Sequence, residues 1–207
     1  TPWDIGTASY DNVSYNVQNG GLFLPQDISV KDDGTILFVV DSETGDIGQF
    51  SMTTGWDLST ISYDSINIDT SSQEGTVQGV DVKPDGTKLF ICGSDNGTVY
   101  EYVLSTPWDL STISYNNSSF SVGTQEGNPH GIFFKDDGTR MFMVGTLNDV
   151  THQYNLSSAW DVSSAAFDVT FDTSTEDAQP LGIFFKGDGT AMYLTGGSND
   201  SIFQYTL

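Results

Sequence analysis

The chain consists of four consecutive copies of one unit of about fifty residues, and this repetition constrains the fold more than any other feature. Four tryptophans, each followed by Asp, mark the copies at intervals of 53, 52 and 52 residues: Trp3, Trp56, Trp108 and Trp160. A single domain of 207 residues then contains the repeats 1–54, 55–106, 107–158 and 159–207. A period of this length in a strand-rich sequence is typical of a propeller or a linear array.

Each copy predicts four antiparallel strands. One strand follows the Trp-Asp pair, as in ISYDSINI (61–68), and two more flank an Asp-Gly turn, as in QGVDVKPDGTKLFIC (78–92). A short alternating run such as TVYEYVL (98–104) provides the fourth. Alternating aromatic and β-branched residues between Gly, Asn and Asp clusters indicate strands, and Asp-Gly between apolar runs is a strong hairpin signal. The unit is therefore predicted to be a four-stranded antiparallel blade.

The repeats together predict an all-β fold, a four-bladed β-propeller. A single blade cannot bury both of its faces, and radial stacking of blades covers them and protects the sheet edges. Leu207 aligns with Leu104 and Leu156, which stand four residues before the next tryptophan. We therefore expect a closed ring in which the N-terminal strand completes the C-terminal blade. A monomer is expected, and a dimer that joins two chains into an eight-bladed ring is the alternative.

Composition excludes several classes of partner. The formal net charge is −22 with only 6 basic residues, so repulsion argues against nucleic acid and anionic lipid surfaces. No stretch is long and apolar enough to be inserted in a membrane. The single cysteine, Cys92, excludes an internal disulfide. We expect a secreted, extracellular or virion-surface module, processed or excised before Thr1.

The most variable segments of the repeat are the connections that lead into the inner strand. Because turns of an antiparallel blade alternate between its two ends, these connections share one end of the propeller. Variable loops on a rigid scaffold commonly carry recognition. We predict that this acidic loop face binds a glycan or protein ligand through Glu74, Glu126, Asn128, His130, Glu176 and Asp177. The alternative is that these residues are turn formers and solubilising charges.

The tryptophans provide an alternative ligand site, because one exposed ring per blade could stack on sugars. The competing interpretation packs each indole against the neighbouring blade, with the following Asp capping the turn. A second repeated feature is a lysine two residues before each turn aspartate, which predicts a local ion pair. These lysines are Lys31, Lys83, Lys135 and Lys186.

Motifs for catalysis are missing from the sequence, which contains neither Gly-x-Ser-x-Gly nor His-Glu-x-x-His. No catalytic residue is therefore assigned. The alternative is an enzyme with an acid/base or metal site at the channel mouth, formed by His130 with Asp27, Asp81 and Glu126. No cofactor is expected, although Ca²⁺ or another ion bound in the channel near Asp27, Gly79, Gly131 and Gly182 would stabilise the ring.

The unit KPDGTKLFICGSDNGTVYEYVLSTPWDLSTISY (83–115) and its three siblings resemble the YVTN and lactonase-like propeller repeats, particularly the tandem repeats of marine bacterial and phage proteins. The resemblance covers the whole chain and is specific for fold. It implies either a surface or adhesion module or, as the alternative, a lactonase-like or polysaccharide-degrading hydrolase or lyase around His130. A shared fold does not choose between these functions.

Overall fold

The computed structural model describes residues 9–207 as an all-β, four-bladed β-propeller, which confirms the predicted fold class. The first blade contains β1 (Pro25–Val30), β2 (Ile36–Asp41), β3 (Asp46–Met52) and β4 (Ile61–Asp69). The second contains β5 (Val77–Val82), β6 (Lys88–Gly93), β7 (Thr98–Leu104) and β8 (Ile113–Ser121). The third contains β9 (Pro129–Phe134), β10 (Arg140–Gly145), β11 (Val150–Leu156) and β12 (Ala165–Asp172). The fourth contains β13 (Pro180–Phe185), β14 (Ala191–Gly196) and β15 (Ser201–Thr206).

Among residues 9–207, helical structure is limited to short 3-10 turns at Val17–Gly20, Leu58–Thr60, Leu110–Thr112 and Val162–Ser164. None of them could cross a membrane. The last three follow a Trp-Asp pair, and in each the aspartate caps the turn by accepting the amide two residues later, as Asp109 does from Ser111 at 3.1 Å. This confirms the predicted capping role of the aspartate.

Within each blade the strands pair antiparallel in chain order, so the inner strand leads and the outer strand ends the blade. The Asp-Gly turns join the first two strands as predicted, and their glycines have φ between 70° and 74°, which favours glycine. The lysine before each turn pairs with its aspartate, for example Lys31 with Asp33 at 2.8 Å and Lys83 with Asp85 at 2.7 Å. Both features are properties of a single blade and recur in all four.

Successive blades pack face to face at three interfaces, which we call the junctions of the propeller. The inner strands β1, β5, β9 and β13 lie side by side in that order. One buried cluster joins the first and second blades, including Phe38 and Leu89, and another joins the second and third, including Phe90 and Met141. A smaller cluster joins the third and fourth blades around Phe185. A fourth cluster lies on the other side of the first blade, where Leu22 and Tyr15 pack with Phe50.

The fourth blade and the first blade meet differently, and we call this place the seam. Among residues 9–207, no hydrogen bond, aromatic pair or buried apolar cluster joins these two blades. The predicted closing strand begins in residues 1–8, which lie outside the described residues. Its continuation, residues 9–16, forms no strand, although Tyr15 packs on Phe50 of the first blade at 5.8 Å between ring centroids.

Candidate functional site

A β-bulge interrupts the start of the inner strand in every blade. The pairing register skips one residue between Pro25 and Asp27 in β1, and it skips the corresponding residue in β5, β9 and β13. A bulged residue is released from the ladder and its side chain is re-aimed, which is why bulges occur next to functional sites. The four bulged residues are Gln26, Gln78, His130 and Leu181.

The four bulged residues all line one cleft of about 910 Å³, which follows the inner strands and extends to Trp56 and Ile202 at the seam. They lie at its mouth, directly after the loops that lead into the inner strands. Gln78 has a buried Oε1 with no hydrogen-bond partner among the residues that the structure describes. Burial lowers the pKa of His130, so its imidazole is neutral near pH 7 and has one donor and one acceptor nitrogen. The mouth therefore presents uncharged hydrogen-bonding groups.

Asp27 and Asp81, named with His130 in the enzyme alternative, are engaged in joining the blades. Asp27 accepts the amide of Val80 in the next blade at 3.0 Å, and Asp81 accepts the amide of Phe134 in the next blade at 2.7 Å. Each also accepts the amide of the residue that follows it. These carboxylates link neighbouring inner strands, which have no direct ladder between them.

Burial raises the pKa of Asp27 to about 6 and that of Asp81 to about 7, although the backbone amides oppose the shift. For Asp81, the charges of Asp27 and Asp136 add to the effect of burial. Near neutral pH, Asp81 is therefore divided between its protonated and ionised forms. A carboxyl group with such a pKa lies in the range of a general acid or base.

Three residues predicted to bind ligand from the loop face are instead buried within it. Glu74 and Glu126 are fully buried and Asp177 is 4% exposed. Glu126 accepts the amides of Asn128 at 2.9 Å and Leu147 at 3.1 Å, so one carboxylate ties two loops together. Glu74 and Asp177 make the same kind of contacts in their own blades. The structure gives these carboxylates a bracing role, which explains why the repeat retains an acid there.

The remaining loop-face residues are placed differently from one another. Asn128 is partly buried and donates its amide to Thr146 Oγ1 at 2.5 Å. Glu176 is exposed, and Tyr205 donates to its carboxylate at 3.4 Å. Around them, the braced loops expose the side chains Asp95, Asn96, Leu147, Asn148, Asn199 and Asp200. This outer rim is the accessible part of the predicted acidic face.

The residues suggested for a channel ion do not form a ligand cluster. Within residues 9–207, no group of three or more His, Cys, Asp and Glu side chains is placed to hold a metal. At Gly79 an added Cβ would collide with the carbonyl oxygen of His130, and at Gly131 it would meet the carbonyl of Leu181. These glycines therefore let adjacent inner strands approach closely. An ion on the axis stays a prediction.

The tryptophans that have a neighbouring blade beside them are packed against it. Trp108 and Trp160 are 7% and 8% exposed and lie in the buried clusters of the first two junctions. Trp56, which faces the seam, is 67% exposed, and its indole donates to Asp32 O at 3.2 Å. Trp3 lies outside the described residues. An equivalent sugar-stacking ring in every blade is therefore incompatible with the burial of Trp108 and Trp160.

Cys92 lies at the junction of the second and third blades. It is fully buried, and its Sγ lies 3.4 Å from His130 O. Burial raises the pKa of the thiol well above its usual value. The thiol is a packing group, as expected for a small apolar residue beside Ile91.

No protein-family model matches the chain, and no curated protein matches it. Solved structures do. A candidate 6-phosphogluconolactonase from Bacteroides fragilis aligns with a TM-score of 0.62 at 12% identity, over 88% of this chain and 50% of that one. A second, from Bacteroides uniformis, aligns at 0.60 and 12% identity over 86% and 52%. A chain of a nidogen–laminin complex aligns at 0.59 and 13% identity over 88% and 60%.

These similarities define the class of the protein as a β-propeller that resembles lactonase-like propellers in fold. The chain spans about half the length of the structures that it matches. At such low identity the likeness concerns the fold alone.

Proposed function

We propose that the protein is a binding module that recognises a polar, uncharged ligand at the mouth of its cleft, and that this ligand is a glycan. One observation supports this most: four bulged residues from four blades face one cleft, and three of them are amide or imidazole groups. Such groups hydrogen-bond hydroxyls as both donors and acceptors. A protein ligand docking on the outer rim is the variant of this proposal that the nidogen–laminin likeness suggests.

The surrounding loops suit such a role because they are held in place from inside. Glu74, Glu126 and Asp177 each brace two loops of one blade with buried hydrogen bonds. A binding surface that is already ordered loses less conformational entropy when the ligand arrives. An extracellular or virion-surface location forms part of the proposal.

Binding to a glycan array, followed by titration of the bound glycans, tests the proposal. His130→Leu and Gln78→Leu copy the leucine that the fourth blade has at this position, so the bulge itself should persist. Each change removes hydrogen bonds to the ligand and should weaken binding about tenfold. Thr53→Leu, the same kind of polar-to-leucine change at an exposed position of the opposite end, is the matched control and should leave binding unchanged. Absence of any array binding, or equal binding by all variants, would reject the assignment.

Hydrolysis is the second candidate, because Asp81 has a pKa of about 7 and lines the same cleft as His130. The matched Bacteroides structures are named as candidate 6-phosphogluconolactonases. Lysine and arginine, the usual partners of a phosphate, do not line the described cleft, however. We therefore expect no turnover of 6-phosphogluconolactone. Lactone hydrolysis that His130→Ala abolishes would move the assignment to the enzyme.

A further inference from the structure

Carboxylates without a counter-ion line the cleft that contains the proposed binding site. They belong to Asp27 and Asp81 on the inner strands and to Asp32 in a turn at the opposite end. Among the described residues, neither lysine nor arginine lines this cleft. His130 adds no positive charge near pH 7, because burial lowers its pKa. The cleft therefore has a negative field of its own within a chain whose formal net charge is −22.

The basic side chains of the protein are engaged elsewhere. Four of the six lie beside the Asp-Gly turns, where each pairs with a turn aspartate. Lys88 pairs with the buried carboxylate of Glu101, and Arg140 lies at the start of β10, outside the lining of the cleft. Within residues 9–207, no cationic side chain is thus placed to neutralise the carboxylates of the cleft.

Asp27 and Asp81 lie at two depths below the mouth of the cleft. Asp27 directly follows the bulged Gln26, and its carboxylate reaches the amide of Val80, two residues after the bulged Gln78. Asp81 lies three residues beyond Gln78 on β5, which corresponds to about 10 Å along a strand. A ligand that bonds the bulged residues would therefore lie close to Asp27 and farther from Asp81.

Both acids break the repeat at positions where the scaffold does not require an acid. The counterparts of Asp27 are Gly79, Gly131 and Gly182, and those of Asp81 are Ser29, Phe133 and Phe184. The inner strands β9 and β13 lie side by side without such a carboxylate, and Phe133 packs there on Phe184 and Phe185. Packing of the blades therefore does not explain why the first two inner strands carry acids in the cleft.

The surroundings of the two carboxylates strengthen their effect on a ligand. The opposite wall of the cleft is apolar and includes Ile132, Phe133 and Phe184. Low-dielectric walls of this kind focus an electric field into a cleft. Burial raises the pKa of Asp27 to about 6 and that of Asp81 to about 7, so both groups are ionised at about pH 8.

We propose that Asp27 and Asp81 determine the charge selectivity of the site, which admits neutral glycans and excludes glycans that carry sulfate or carboxylate groups. This inference rests on the glycan-binding function proposed above. An anionic substituent near the bulged residues would meet two like charges with no cation to offset them. The hydroxyls of a neutral glycan can instead donate to the same carboxylates, because each carboxylate oxygen accepts more than one hydrogen bond.

A glycan array that carries each neutral oligosaccharide beside its monosulfated form tests the inference at about pH 8 and about 0.15 M salt. The wild-type protein should bind the neutral member of a pair about 30-fold more tightly than the sulfated member. Sulfate also adds bulk, which is the same for every variant of the protein. The decisive quantity is therefore the change in this ratio between the wild type and a variant.

Asp27→Asn and Asp81→Asn each remove one charge and keep an oxygen that accepts a backbone amide. Asp27→Asn should lower the neutral-to-sulfated ratio about tenfold, and Asp81→Asn should lower it about threefold because Asp81 lies deeper. Asp27→Gly and Asp81→Ser introduce a residue that another blade already has at the same repeat position, and they should have the same effects. Circular dichroism checks that each variant is folded.

Asp172→Asn is the matched control. Asp172 is exposed at the end of the outer strand β12, three strands away from the inner strand of its blade. The change removes the same charge from the chain but leaves the cleft as it is. The neutral-to-sulfated ratio should therefore equal that of the wild type.

The outcomes distinguish this inference from the proposed function. Equal binding of neutral and sulfated glycans by the wild type would overturn the charge selectivity and leave the glycan-binding function standing. A preference for neutral glycans that persists in both Asp27→Asn and Asp81→Asn would also overturn the inference. The same holds if Asp172→Asn lowers the ratio equally, since the net charge of the whole chain would then be the cause. Absence of binding to every glycan would overturn the proposed function itself, and this inference with it.

Discussion

Two isoleucines at the same repeat position have opposite surroundings. Ile47 in the first blade is fully buried beneath the second blade, whereas Ile202 in the fourth blade is 56% exposed. Trp160 and Trp56 show the same contrast on the other face, at 8% and 67%. Since the repeats are so alike in sequence, the presence of a neighbouring blade determines burial. The junction between blades is therefore the unit that stabilises this fold.

The largest difference in stability is expected when the repeated tryptophan is replaced by alanine, once where it is buried at a junction and once where it is exposed at the seam. Trp160→Ala removes a buried ring and should lower the free energy of unfolding by about 3–5 kcal/mol. Trp56→Ala removes an exposed ring and should cost less than about 1 kcal/mol where the chain is monomeric. Urea unfolding followed by circular dichroism measures both. Equal losses would mean that junctions are not what stabilises the propeller.

A polar pair sharpens the same contrast. Glu101 is 1% exposed and bonds Lys88, which also donates to Trp160 O at 2.6 Å across the junction. Glu101→Ala leaves Lys88 without its carboxylate and should cost about 3 kcal/mol. Gln153→Ala, at the same repeat position in the third blade, removes an exposed hydrogen bond to Asp168 and should cost less than about 1 kcal/mol. Matching unfolding midpoints for these two variants would contradict the distinction.

Stability should also depend on pH through the carboxylates that join the inner strands. Because the pKa of Asp81 is about 7 in the fold against a model value of 3.8, folding favours its protonated form. The free energy of unfolding should therefore fall as pH rises from about 4 to about 7, by at most about 4 kcal/mol for this group and by less where solvent screens the partly exposed carboxylate. Asp81→Asn should flatten the curve between these limits, whereas Asp200→Asn, an exposed control, should only shift it slightly. A wild-type curve that rises over this range would refute the assignment.

The smallest effect is expected where the blades do not differ. Lys31→Ala and Lys135→Ala each break an exposed ion pair within one hairpin, so both variants should be nearly as stable as the wild type. The two losses should be equal and should shrink in high salt. Chemical unfolding at two salt concentrations measures them. A loss of several kcal/mol for either variant would show that the hairpin pair acts across a junction.

Much of the fold was readable from the sequence because its determinants are local. The Asp-Gly turns, the Trp-Asp caps and the Lys-Asp pairs depend on residues a few positions apart. The turns and the ion pairs recur in all four blades, and the caps recur at the three Trp-Asp pairs within residues 9–207. Closure was harder to read, because the repeat pattern is the same whether the next blade belongs to the same chain or to another. Ile47 and Ile202 cannot be distinguished by sequence alone.

The candidate site was predicted only in part. His130 was singled out because it differs from its repeat counterparts, and it does line the cleft. Glu74 and Glu126 were expected at a binding surface, but an acid that accepts backbone amides has the same sequence signature as an exposed one. The sequence does contain one signal for the bulges. The bulged position varies among the four repeats, as Gln26, Gln78, His130 and Leu181, whereas the rest of the inner strand is similar in all of them.

Cys92 is the one thiol of the chain, and its sulfur is enclosed between the second and third blades. A reagent can reach it only when those blades separate, so the rate of its alkylation reports how often that junction opens in the native protein. Cys92 is thus a built-in probe of the opening of this junction. Labelling kinetics can follow that motion without any substitution, and they can do so while a partner or ligand is added.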